Sequence, residues 1–442
     1  MIDIHLTREL LQAVTRGELH PSVLTATLLE HLTALCPTCR DEIDAWRRDA
    51  RGSGSEGVSA AVDKSLASAD AQQRAIERER REARKDFTAL LRLPEGRRLE
   101  RVTGAYKRFR SPFLAEELLR KSRSFIPADP RQAFHFAELA NTVAQWSQNR
   151  AFGAELQTQA LANMANAQRA LGELRTADAL FRQARSVVRM EGVTDKLVYA
   201  ELDSYEGTLR RVQRSFDEAE TLFERAVLHS RLAGDDERVA RTLLSISELY
   251  RAMGESEKAL VSAREALELL DPEEQARLCL MARHNVAHSL CDLERFEPAA
   301  AAFDEAKTLY ARFEDFWTQQ RADWLEGKIL RGLGRPRDAE TVLRGVRERF
   351  VTQDEAYDAA LVSIDLALVM ADLGRSHDMQ VLAEEMMPLF QAVELHREAM
   401  ATLLLFQQAV RENALTGAMV REMGRFMEQA RRNFEQSSPQ PS

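Results

Sequence analysis

Gly172-Glu-Leu-Arg-Thr-Ala177, Gly254-Glu-Ser-Glu-Lys-Ala259 and Gly334-Arg-Pro-Arg-Asp-Ala339 are three copies of one phrase. Looser copies read Arg214-Ser-Phe-Asp-Glu-Ala219, Glu294-Arg-Phe-Glu-Pro-Ala299 and Gly374-Arg-Ser-His-Asp-Met379. The six anchors, at 172, 214, 254, 294, 334 and 374, are separated by 42 residues and then four times by 40. A fixed period of this size marks a chain that stacks one supersecondary unit on the next.

The residues around each anchor say what the unit is. Seven positions before it stand Ala165, Gly207, Ser247, Ala287, Gly327 and Ala367, all small. Nine after it come Phe181, Phe223, Ala263, Phe303, Leu343 and Ala383, and twelve after it Ala184, Ala226, Ala266, Ala306, Val346 and Met386. Two antiparallel helices satisfy this code. A small residue on the first lets the second approach, and a glycine between them supplies a positive φ. Apolar residues three and four apart fill the contact. The expected fold class is all-α: an α-solenoid of antiparallel helix pairs.

On these residues the chain resembles the tetratricopeptide repeat family, whose code is a small residue, then Gly, then Ala, a large residue and Ala at +5, +9 and +12. The resemblance is closest over residues 155–390 and, with degraded flanking units, extends over about 130–430. Asp129-Pro130-Arg-Gln-Ala133 with Ala137 and Ala140 reads as a first unit, and Ala414, Met419, Met423 and Phe426 as a last one in which Gln407 replaces the small residue. Terminal units that lack a neighbour drift in this way. A period of 40 exceeds the usual length of about 34, so the helices are expected to be longer by more than a turn, as in the longer repeats of bacterial regulatory proteins. The resemblance implies a right-handed superhelix whose concave face takes a protein partner.

The composition agrees with helices. Of 442 residues, 45% are hydrophobic and 30% charged, and only 19 are Gly and 12 Pro. This excludes collagen-like and globally disordered chains. No run approaches the ~18 apolar residues of a membrane span. The opening Met1-Ile2-Asp3-Ile4-His5 lacks the basic and apolar regions of a secretory signal, and four cysteines do not make a disulfide framework for a chain this long. A cytoplasmic setting is expected.

The organisation expected from these signals has five parts. Residues 1–48 form a small helical module, and 49–60 a flexible Gly/Ser linker around Arg51-Gly-Ser-Gly-Ser-Glu-Gly57. Residues 61–125 form a basic helical connector, 126–435 a solenoid of seven or eight helix pairs, and 436–442 a disordered tail. The net charge of −9 hides an asymmetry: residues 74–123 hold 16 Lys and Arg against 8 Asp and Glu.

The first module contains His5, His31, Cys36 and Cys39. Two thiolates and two imidazoles complete a tetrahedral zinc shell. Cys36-Pro-Thr-Cys39 is a tight turn that aims two sulfurs at one point, and His31 ends an apolar-periodic helix beside it. A segment this short buries little core, so a metal staple makes thermodynamic sense. His20 is the runner-up fourth ligand. The string His5-Leu6-Thr7, Gly17-Glu18-Leu19, Glu30-His31-Leu32 and Cys36-Pro37-x-Cys39-Arg40 resembles the zinc-binding anti-sigma-factor domain. That resemblance implies a bound zinc ion and a sigma factor as partner. It departs at one point, since four residues rather than the usual three separate His31 from Cys36. The competing reading is a pair of packed, inert thiols.

Three positions before the anchor, four units carry arginine: Arg169, Arg211, Arg251 and Arg331. Equivalent positions lie on one side of a solenoid, so these form a candidate cationic ladder for a carboxylate-bearing peptide. Asn163, Asn166, Tyr205, His284, Asn285, His288 and Lys328 occupy neighbouring first-helix positions and complete the candidate groove. The bland alternative is that arginine simply suits a helix C-terminus. His284 and His288, four apart, also have metal-ligand spacing, but Asn285 and Val286 replace the acidic residue of a His-Glu-x-x-His site. Cys279 and Cys291 read as buried small side chains.

Neither a phosphate-binding Gly loop nor a nucleophile elbow is present. The expectation is a non-enzymatic protein-interaction regulator. One rival is a nucleic-acid-binding regulator using residues 74–123, where Tyr106-Lys107-Arg108-Phe109-Arg110 sets aromatics among positive charges. The other is a solenoid serving only homotypic assembly.

Overall fold

The computed structural model describes residues 56–104, 107–126 and 128–375, with short pieces (377–379, 381–382 and 385) beyond. Among them every regular element is helical. The helices are α1 (Glu56–Leu91), α2 (Glu95–Thr103), α3 (Pro112–Phe125), α4 (Pro130–Ala144), α5 (Arg150–Ala170), α6 (Leu174–Glu191), α7 (Lys196–Val212) and α8 (Phe216–Leu232). They continue as α9 (Asp236–Met253), α10 (Ser256–Glu268), α11 (Ala276–Asp292), α12 (Phe296–Tyr310), α13 (Phe316–Gly332), α14 (Pro336–Thr352) and α15 (Ala356–Asp372). The expected module of residues 1–48, the last degraded unit and the tail 436–442 lie outside the described residues. No helix described is long and apolar enough to cross a membrane.

The chain divides into two compact units: Met1–Arg123 with Phe136–Gln157, and Ser124–His135 with Thr158–Ser442. In the first, α1 begins at Glu56, inside the segment 49–60 assigned to a linker. The Ala60-Ala61 pair and the lack of proline favour helix there over coil. Residues 136–157, counted above with the solenoid, fall in this unit because their aromatic rings pack on its basic helices. The Arg98 guanidinium covers Phe136 at 5.6 Å, Arg110 covers Trp146 at 4.2 Å, and Phe113 meets Phe152 at 6.0 Å.

The second unit stacks helical hairpins. Within it α7 pairs with α8, α9 with α10, α11 with α12 and α13 with α14. Each second helix then packs on the next first helix, and first helices also touch one another directly: α7 with α9, α9 with α11, α11 with α13, α13 with α15. The first helices therefore form a continuous row.

The code positions carry the packing. Ala177, Ala219, Ala259, Ala299 and Ala339, five after their anchors, are all fully buried. Phe181, Phe223 and Leu343, nine after, are fully buried too, at about 1.5–3 kcal/mol of burial each. Gly207 lies against the ring of Phe223, and Gly327 against the side chain of Leu343, so small and large positions meet as the spacing requires.

Every anchor is left-handed, whichever residue stands there. Gly172, Gly254, Gly334 and Gly374 have φ of 82°, 83°, 72° and 70°, while Arg214 and Glu294 have φ of 61° and 57°. The turn closes the same way each time. The N–H after the anchor donates to the carbonyl five residues earlier: Ser215 to Arg210, Glu255 to Tyr250, Arg295 to Leu290 and Arg335 to Leu330. This is the Schellman closure, which favours glycine at its left-handed position. A left-handed L-residue costs about 1–2 kcal/mol, part of which glycine returns through its freer unfolded chain. Glu294→Gly is therefore expected to raise stability by roughly 0.5–1 kcal/mol, as a higher midpoint in urea unfolding.

A candidate interaction face on the first helices

The four arginines of the expected ladder sit at the ends of first helices, and each has a partner. Arg211 on α7 pairs with Glu248 on α9 at 3.1 Å. Arg251 on α9 pairs with Asp292 on α11 at 3.1 Å, and Arg331 on α13 with Asp372 on α15 at 2.6 Å. Arg169 donates to Asn166 at 3.0 Å within α5. Three of the four thus bond a carboxylate on the following first helix and join consecutive repeats. The sequence left open a ladder for a partner's carboxylate and a plain helix C-terminal preference. These arginines instead take carboxylates of the neighbouring repeat, at a helix end where the macrodipole also favours a cation.

The other groove candidates fall into three groups. Asn163, fully buried, donates to Glu201 on the next first helix at 2.8 Å, and Glu201 faces Arg238 on α9 at 3.8 Å. One polar connection therefore crosses α5, α7 and α9. His284, His288 and Asn285 lie on α11. His284 Nδ1 stands 2.6 Å from the Tyr310 hydroxyl, and His288 Nε2 stands 2.9 Å from Arg251 Nη2. Asn285 is buried, and its Nδ2 has no hydrogen-bond partner among the described residues. Lys328 on α13 is close enough to hold down the protonation of both histidines, after burial itself. Tyr205 and Asn166 complete the row at partly buried and buried positions.

Several charged residues that composition does not reveal are buried beside this row. Asp203 on α7 is fully buried and takes hydrogen bonds from Arg185 on α6 and from Arg225 on α8. Burial raises its carboxyl, against the pull of Arg185. The register gives no clean signal for it: eleven residues before the anchor the other repeats carry Leu161, Leu243, Arg283, Asp323 and Ser363. The same two register positions pair again with signs exchanged, in Arg283 and Glu305 at 2.6 Å.

The face offers hydrogen bonds and ion pairs. Among the described residues, no group of three or more His, Cys, Asp or Glu is placed to hold a metal ion. Cys279 and Cys291 are buried in α11, and burial pushes the Cys291 thiol up to about 12, which leaves it protonated and unreactive. The zinc candidates His5, His31, Cys36 and Cys39, and the alternative His20, lie outside the described residues. In the first unit, much of the basic charge of residues 74–123 is paired locally. Arg108 donates to Asp86, Arg84 to Glu117 at 3.3 Å, and Arg80 lies 3.7 Å from Glu116.

Comparison with known proteins bears on the fold. No curated relative matches the chain. Among solved structures, a Rap protein complexed with competence and sporulation factor shares 15% identity, with a TM-score of 0.56 over 73% of this chain and 88% of that one. The apo form of RapI shares 13% identity, with a TM-score of 0.49 over 73% of this chain and 98% of that chain. The apo form of the quorum sensor NprR from B. thuringiensis shares 14%, with a TM-score of 0.47 over 83% and 97%. At 15% identity the first of these speaks for the fold alone. Residues 198–271 match the tetratricopeptide repeat family, and the helical hairpins that continue on either side of them make the second unit a tetratricopeptide-repeat-like solenoid.

Proposed function

We propose that the chain is a non-enzymatic, cytoplasmic regulator that binds a partner protein along its row of first helices. The observation that carries this reading is the cross-repeat pairing of that row. Arg211–Glu248, Arg251–Asp292, Arg331–Asp372 and Asn163–Glu201 each join consecutive first helices. A surface locked in register before a partner arrives loses less freedom on binding. Tyr205, His284 and Lys328 lie partly exposed between these staples, and aromatic and cationic groups of this kind dominate recognition energy. A protein of the same fold, the Rap protein, has been seen with competence and sporulation factor, which is in keeping with a regulatory binding role.

The N-terminal segment extends the proposal on its sequence spacing alone: His5, His31, Cys36 and Cys39 hold zinc, and the segment engages a second protein, with a sigma factor as the partner that the family resemblance implies. The test is affinity capture with the full chain beside two variants that keep its helical circular dichroism. Tyr205→Ala with Lys328→Ala is expected to weaken the main captured protein about tenfold or more. Cys36→Ser with Cys39→Ser is expected to lose a different protein. A captured set unchanged by the first variant would refute the groove, and one unchanged by the second would refute the zinc module.

A further inference from the structure

The contact between α9 and α11 holds a histidine in a setting that favours its neutral form. Arg251 reaches across from α9 and places Nη2 at 2.9 Å from His288 Nε2 and Nε at 3.1 Å from Asp292 Oδ2. A guanidinium has donors and no acceptor. His288 Nε2 must therefore offer its lone pair, and the single ring proton sits on Nδ1, which faces Asp292 Oδ2 at 3.3 Å. The His288 side chain is only 16% exposed, so water does little to screen these contacts.

We propose that His288 is an acid-sensitive latch: as a neutral imidazole it fastens α9 to α11 through Arg251, and on taking a proton it releases Arg251 and loosens this junction between repeats. A proton on Nε2 removes the acceptor that Arg251 needs and sets two cations at hydrogen-bonding distance. The charged groups around the site weight the balance further. Lys328 from α13 adds a positive charge, while Asp292 alone favours the protonated ring; Arg251 and Lys328 oppose it together with burial. Burial is the largest influence, and the net result holds His288 below its ordinary value.

The neighbouring histidine does not share this property. His284 faces Tyr310 from α12 at 2.6 Å, with Arg321 and Lys328 nearby from α13. A phenol can donate or accept, so the His284–Tyr310 bond survives protonation by turning its O–H. The Arg251–His288 bond has no such option.

The direction with pH follows from linkage. The open junction binds a proton near the ordinary histidine value of about 6.5, while the closed one resists it, so acid favours opening. The junction is fully held above that value and weakens by about tenfold per pH unit below it, until the closed form itself takes the proton.

Hydrogen exchange of the full chain at pH 7.5 and 5.5, corrected for intrinsic rates, reads the latch directly. Protection in the last turn of α9 and in α11 is expected to fall about tenfold, while the junction closed by Arg331 and Asp372, which has no histidine in its ion pair, keeps its protection. His288→Gln retains one acceptor for Arg251 and one donor for Asp292 without titrating, and is expected to abolish the drop. In case that variant fails to fold, Arg251→Gln supplies a second reading. Removing the guanidinium is expected to raise the His288 titration midpoint, followed by NMR, toward 6.5. A His288→Gln chain that loses protection in acid as the wild type does would overturn the latch. So would a His288 midpoint that Arg251→Gln leaves unmoved.

Discussion

Gly327→Ala is expected to cost about 2 kcal/mol of stability, against the usual gain of roughly 1 kcal/mol when alanine replaces glycine inside a helix. A Cβ at this position would lie 2.5 Å from Leu343 Cδ2 and 2.6 Å from Leu343 Cγ. Leu343 is itself fully buried and has nowhere to swing, so α13 and α14 must separate or its rotamer must strain. Leu343→Ala alone is expected to cost about 2–5 kcal/mol through the cavity it leaves.

Combining Gly327→Ser with Leu343→Ala is expected to cost clearly less than the summed losses of Gly327→Ser and Leu343→Ala measured singly, with a coupling of about 1–3 kcal/mol between neighbours in contact. The protein already contains that solution. In the unit anchored at Gly254 the corresponding pair is Ser247 and Ala263, and the Ser247 hydroxyl donates to the Ala259 carbonyl at 2.9 Å. Urea unfolding of the two single variants and the double variant decides the matter. Strictly additive losses would mean that helix approach is not what the small residue serves.

Asp203→Ala is the second large effect, at about 3–5 kcal/mol. The carboxylate is fully buried on α7, between Arg185 of α6 and Arg225 of α8, and its loss leaves these guanidiniums facing each other. Arg185 keeps Glu206 at 2.6 Å as a partner, yet its side chain is only 19% exposed and cannot turn to water. Replacing the charged group by well-packed apolar residues is a different experiment. Asp203→Leu together with Arg185→Leu is expected to recover most of the loss, because a buried ion pair offsets its own desolvation only in part. Chemical denaturation checks both. An Asp203→Ala variant within 1 kcal/mol of wild type would show that the cluster is solvated and contributes little.

The repeat architecture was readable because each hairpin is made by near neighbours in sequence. The separation of Gly207 from Phe223, or of Gly327 from Leu343, is set within one unit, so the small and large positions recur at constant spacing. The turn was readable for the same reason. Even Arg214 and Glu294, which break the glycine rule, adopt the left-handed conformation, because the helices on either side leave no other way to close.

The face on the first helices was legible only as a set of positions. Arg211, Arg251 and Arg331 could be placed on one side, but whether they await a ligand or bind the next repeat depends on how one hairpin is rotated on its neighbour. That rotation carries Glu248, Asp292 and Asp372 within reach of them.

Local spacing therefore determined the helix pairs, their turns and the residues that line each contact, since those interactions close within about one period of the chain. Only the tertiary stacking decided which charges meet across repeats, that Asp203 is buried between two arginines, and that His288 meets the guanidinium of Arg251. Side chains from separate hairpins converge there, and a salt bridge or a proton position depends on distances of an ångström or less that no residue pattern encodes.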